Sequence, residues 1–116
     1  MNIKDLQEKV HSDNVAAGWW DNIDKESVVE RLAKSALIVT EVAEAVEGFR
    51  KQIPDDHLPH RPMAEVELAD AVIRILDLSG ACGFDLEGAI MEKLEYNRNR
   101  LDHKRENRAK EGGKKY

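Results

Sequence analysis

One segment constrains this chain more than any other. From Met63 to Gly80 it is apolar almost all round when wound as a helix: Val66, Leu68, Ala69, Ala71, Val72, Ile73, Ile75, Leu76 and Leu78 leave only a narrow polar sector of Glu67, Asp70, Arg74 and Asp77. A helix with so little polar surface must sit centrally, with other elements packed on it. The flanking segments are helical too. Asn2–Asn14 carries Ile3, Leu6 and Val10 at helical spacing and is broken by Gly18 and the Trp19-Trp20-Asp21 cluster. From about Lys25 to Lys51, with Asp24 or Ser27 as cap, Val28, Leu32, Ala36, Val39, Ala43 and Val46 form one apolar stripe, expected to face inward. That segment ends before the loop Ile53–Pro62, which holds three prolines. Gly80 and Gly83 mark a turn, Asp85 reads as an N-cap, and Leu86, Ala89, Ile90 and Leu94 continue a fourth helix toward about Ala109, ended by Gly112-Gly113.

Short loops make neighbouring helices antiparallel, so the expected fold is all-α, an antiparallel four-helix bundle. At 116 residues, 41% of them hydrophobic, the chain has material for one domain and one modest core. The single cysteine, Cys82, excludes a disulfide framework and a multi-cysteine zinc site. With no membrane-length apolar stretch and no apolar leader, a cytoplasmic protein with no membrane partner is expected. So apolar a third helix also calls for a partner subunit to cover it.

Charge is unevenly distributed. Residues 98–116 hold 8 basic and 3 acidic side chains, a net +5, so the remainder of this net −5 chain carries −10. An acidic body argues against nucleic acid as partner. It does suit metal cations.

The acids are in an unusual place for a plain bundle. Glu41, Glu44 and Glu47 lie three apart on the second helix, the latter two on or beside its apolar stripe, and Glu67 and Asp70 interrupt the third. A simple Asp70–Arg74 ion pair, i to i+4, is one alternative. Buried carboxylates are costly unless paired or metal-bound, and two such pairs on antiparallel helices could surround one divalent cation. An all-oxygen set suits Mg²⁺ or Mn²⁺.

Glu41-Val42-Ala43-Glu44, then 22 residues, then Glu67-Leu68-Ala69-Asp70 resembles the ExxE…ExxD pattern of the MazG-like all-α nucleoside triphosphate pyrophosphohydrolases. Lys93, Asn97 and Arg100 resemble that family's KxxxNxxR stretch. The ending Gly112-Gly113-Lys114-Lys115-Tyr116 is similar to that of small bacterial and phage members, and Gly18-Trp19-Trp20-Asp21 to the segment before the first motif helix. The resemblance implies Mg²⁺-dependent hydrolysis of a (deoxy)nucleoside triphosphate to monophosphate and pyrophosphate, by a homodimer or dimer of dimers. It implies Glu41, Glu44, Glu67 and Asp70 as metal ligands, Glu41 or Glu44 as general base, and Lys93, Asn97, Arg100 and Lys114 as substrate contacts. Where many members carry a further acid, this chain has Thr40, which leaves the choice of base open. Trp20 and Asn14 are the candidates for the nucleobase, as a stacking face and a polar contact. Phosphoribosyl-ATP pyrophosphohydrolase and a non-catalytic helical interaction module are the alternatives.

Overall fold

A computed structural model of the chain describes residues 1–100, 105, 109, 110, 112 and 113. It contains four helices, α1 (Ile3–Ala16), α2 (Val28–Lys51), α3 (Met63–Cys82) and α4 (Leu86–Asn99), and no strand among the described residues. No helix among them is long and apolar enough to cross a membrane. The chain divides into two compact units, Met1–Phe84 and Asp85–Tyr116.

Local chemistry sets the helix ends. Asn2 Oδ1 accepts from Asp5 N at 2.8 Å and starts α1. Ser27, rather than Asp24, caps α2, its Oγ accepting from Glu30 N at 3.3 Å. Gln52 closes α2 in the left-handed region (φ 53°), and Gly83 closes α3 in the same region (φ 69°), where a residue without Cβ is unstrained. Asp85 caps α4 through Gly88 N. The fourth helix is shorter than its pattern suggests: Arg100 turns to extended backbone (φ −72°, ψ 140°) and ends it at Asn99. The expected continuation through 101–104 and 106–108 lies outside the described residues, as does Lys114.

In the first unit α3 is central, packed against both α2 and α1. The α2–α3 pair is an antiparallel hairpin whose linker is itself ordered. Asp55 is buried, and its Oδ2 accepts from His57 N and Leu58 N at 2.9 and 2.8 Å. Met63 N donates to Ile53 O at 3.0 Å. At the base of the hairpin the two helices touch main chain to main chain: a Cβ on Gly48 would lie 2.6 Å from Ala64 N. Gly48 is one turn from Glu44 and Ala64 one turn from Glu67, so this contact draws the acid-bearing turns together. α1 lies antiparallel to α3, with Gln7 Nε2 donating to Phe84 O at 2.9 Å and His11 Nδ1 2.8 Å from Asp77 Oδ1.

The inward stripe expected on α2 does not face α3. Val28, Leu32, Val39 and Val46 are exposed, and so are Ala36 and Ala43. What α2 buries is Ala45 and Gly48. The reason is steric: the smallest residues permit the closest helix approach, and they lie on roughly the opposite side of the helix from the stripe.

Candidate functional site

Glu41 projects from α2, and Glu67 and Asp70 project from the facing turns of α3. One carboxylate oxygen from each lies within 4.8 Å of the others. Glu44, the fourth expected ligand, falls outside this set. Its side chain is at the exposed edge, close enough to Glu67 to act on its charge. Glu47 is engaged elsewhere, its Oε2 accepting from Arg50 Nη2 at 2.9 Å.

The set is electrostatically strained as it stands. Burial, with the adjoining carboxylates of Glu41 and Glu44, pushes the Glu67 carboxyl up to about 8. Burial first, then Glu41 and Asp55, also raises Asp70, against the pull of Arg74. Glu67 Oε2 is shut away from solvent with no hydrogen-bond partner among the described residues. A buried carboxylate oxygen with no donor, beside two further carboxylates, is what a hard divalent cation would satisfy, and the all-oxygen donors fit one. Arg74 is the cation now in contact. It does not form the i, i+4 pair with Asp70 that its spacing allows; it reaches across the hairpin, Nε donating to Glu41 Oε1 at 2.9 Å.

The sign of the Glu67 shift gives a testable linkage. Between the ordinary carboxyl value of 4.5 and about 8, the folded chain holds a proton on Glu67 that the unfolded chain has lost. This group's contribution to stability therefore falls as pH rises through that window. A cation that displaces the proton removes the penalty. Added Mg²⁺ should raise the melting temperature more at pH 8 than at pH 6, relative to chelator. Equal increments at both would contradict a cation bound at Glu67.

Glu41 and Asp70 open on a cleft of about 290 Å³, whose lining also includes Asn14, Trp19 and Trp20. The two tryptophans differ in role. Trp20 is buried, and its Nε1–H donates to both oxygens of Asp77, at 3.0 and 3.2 Å. His11 packs edge-on to it, with ring centroids 5.5 Å apart. Lys25 Nζ stands 2.9 Å from His11 Nε2; an ammonium only donates, so Nε2 accepts and Nδ1–H donates to Asp77. Trp20 is thus a fixed wall. Trp19 is 67% exposed and supplies the free aromatic face, a role the sequence left to Trp20. Lys34, with Nζ 4.7 Å from the Trp20 ring centroid, and Arg74 add positive charge to the same cleft.

Sequence reasoning passed over Lys34, Asp77 and His11 as site residues. A signal existed for two of them. Lys34 precedes Glu41 by seven residues and Asp77 follows Asp70 by seven, two helical turns in each case, so each shares a face with its acid.

In the second unit, Asn97 and Arg100 come together, Arg100 Nη1 donating to Asn97 Oδ1 at 3.1 Å. Lys93 Nζ lies 4.4 Å and the Arg100 guanidinium 6.0 Å from the ring of Tyr96, a residue absent from the sequence expectations. The motif-like trio therefore shares one neighbourhood around an aromatic ring. No family model, curated protein or solved structure matches the chain.

Proposed function

We propose that this protein is a divalent-cation-dependent pyrophosphohydrolase that cleaves a (deoxy)nucleoside triphosphate to the monophosphate and pyrophosphate. The observation that carries the reading is the Glu41–Glu67–Asp70 set, with its orphaned Glu67 oxygen, two of whose members, Glu41 and Asp70, line a cleft together with Trp19 and Trp20. Such a cleft offers acids for a metal–phosphate complex and an indole face for a flat base. Glu41, Glu67 and Asp70 would hold Mg²⁺, or Mn²⁺ in its place. Bound there, the ion supplies phosphate charge neutralisation and a water of lowered pKa.

The chain's own groups do the rest. Glu44 is the general base: it stands at the solvent edge of the cluster, whereas Arg74 already holds one oxygen of Glu41. The water oxygen bonds to the α-phosphorus, its proton passes to Glu44, and the bond to the oxygen bridging to the β-phosphorus breaks. Pyrophosphate leaves. Trp19 offers its face to the base, and the Asn14 amide offers a donor and an acceptor to the base edge. Lys93, Asn97, Arg100 and Lys114 enter as substrate contacts through the resemblance alone. The same reading includes a homodimer or dimer of dimers, a cytoplasmic setting and nucleotide-pool cleaning or balancing.

The test is pyrophosphate release from a panel of ribo- and deoxyribonucleoside triphosphates, with Mg²⁺ and with chelator. Release of pyrophosphate plus monophosphate only with the metal is expected, and the fastest substrate names the base. No release from any of them by folded protein would overturn the assignment.

A further inference from the structure

Among the described residues, Arg74 is the cation that both contacts the acid set and lines the cleft. Asp70, one turn back on α3, is the partner its spacing offers, yet Arg74 Nε donates across the hairpin to Glu41 Oε1 at 2.9 Å. That contact is a single bond. Arg50, by contrast, meets Glu47 Oε2 with Nε and Nη2 together, at 3.1 and 2.9 Å. Nη1 and Nη2 of Arg74 meet no hydrogen-bond acceptor among the described residues. The planar fork that matches a phosphate is therefore left open, on a residue that lines the cleft. Exposure within the pair is unequal too: the Glu41 side chain is 13% exposed and that of Arg74 43%. The acid is held in place, whereas the arginine has room to swing.

We propose that Arg74 is an exchangeable counter-cation: it neutralises Glu41 while no divalent cation is bound, yields that carboxylate to the cation, and turns its fork to the phosphates that arrive with it. The inference rests on the hydrolysis proposed above. Electrostatics favours an exchange of this kind. Glu41, Glu67 and Asp70 each bring an oxygen within 4.8 Å of the others, so a divalent cation among them would share Glu41 with the guanidinium. Two positive groups on one carboxylate repel each other. A triphosphate offers the displaced arginine dense negative charge and oxygens spaced for two parallel N–H bonds. No helix has to move for this, because Arg74 already lines the cleft with Asp70, Trp19 and Lys34. Glu41 passes from one cation to the other and is never a free base, in keeping with Glu44 in that role. Arg74 thereby opposes the bare metal and favours the metal–phosphate pair, so the site loads metal together with substrate.

Two binding measurements on the full chain separate these roles: Mn²⁺ binding, followed by electron paramagnetic resonance of the free ion, and calorimetry of inorganic tripolyphosphate at saturating Mn²⁺. Arg74→Gln removes the charge and should bind Mn²⁺ roughly two- to fivefold more tightly, the contribution of a half-exposed ion pair. The same variant should bind tripolyphosphate roughly 10- to 100-fold more weakly, the loss of charge-assisted hydrogen bonds. Arg74→Lys keeps the charge without the fork. Its Mn²⁺ affinity should stay within about twofold of the wild type, while its tripolyphosphate affinity should fall by about fivefold or more. An arginine that merely pinned Glu41 in place would act on the metal with the opposite sign. Unchanged or weaker Mn²⁺ binding by Arg74→Gln would therefore overturn the proposal, as would tripolyphosphate binding unchanged in that variant. Wild-type protein that binds no Mn²⁺ would remove the metal site itself and this proposal with it, a result distinct from Mn²⁺ binding that responds wrongly to Arg74→Gln.

Discussion

Asp70→Asn and Glu44→Gln should each reduce Mg²⁺-dependent pyrophosphate release by roughly 10²–10⁴-fold, and for different reasons. Asp70 belongs to the set that would hold the cation, and an amide there removes a negative donor. The variant should lose both turnover and the rise in melting temperature on adding Mg²⁺. In chelator it should also melt no lower than the wild type. Burial and the neighbouring Glu41 charge already raise the Asp70 carboxyl, so a neutral isostere relieves strain rather than creating it. Glu44 stands outside the three-acid set, so Glu44→Gln should keep most of the Mg²⁺-induced stabilisation while losing turnover. Kinetics and thermal melts with and without metal check both. Wild-type turnover in either variant would refute the role given to that residue, and a Glu44→Gln protein that no longer responds to Mg²⁺ would make Glu44 a ligand rather than a base.

The second large effect is on stability. Asp77→Ala should destabilise the first unit by about 3 kcal/mol, because a hydrogen bond to a carboxylate contributes about 1.5–3 kcal/mol and a donor left buried without a partner costs more. Asp77 accepts from Trp20 Nε1 and from His11, and both donors are largely enclosed. At roughly 4–8 °C per kcal/mol for a unit of this size, the melting temperature should fall by more than 10 °C. Indole fluorescence should shift to the red as Trp20 meets water, and Asp77→Asn, which keeps an acceptor, should lose less. A fall of under about 2 °C would show that Asp77 does not hold Trp20 in place. The same substitution bears on the cleft, since Asp77 and Trp20 both line it.

Helix positions were legible because their signals are local. Ser27, Asp85 and Gly83 act through neighbours a few residues away, and the structure uses each as its sequence context suggests. The centrality of α3 followed from its composition, and three of the four motif acids come together as their i, i+3 spacing on facing helices implies. The inward face of α2 was misread because hydropathy weights Val and Leu over Ala and Gly. Backbone approach at Gly48 follows smallness, which a hydrophobic pattern does not register. The His11–Asp77–Trp20 network joins residues 66 and 57 positions apart and has no local signature. Arg74 was legible as a cation near Asp70, but its partner Glu41 stands 33 residues away, across a hairpin whose geometry only the fold supplies. The end of α4 at Asn99 left no mark either, since helix-forming residues continue beyond it.

The contact between Gly48 and Ala64 has a consequence for how a site of this kind is calibrated. Carboxylates that repel one another would drift apart if only their own side chains set their spacing. Here the gauge is a main-chain touch point one turn away, indifferent to whether the acids are protonated, ionised or replaced. The geometry available to a cation is thereby uncoupled from the charge state of the groups that would receive it. Chemistry at Glu41, Glu67 and Asp70 can vary while the frame that sets their separation stays constant.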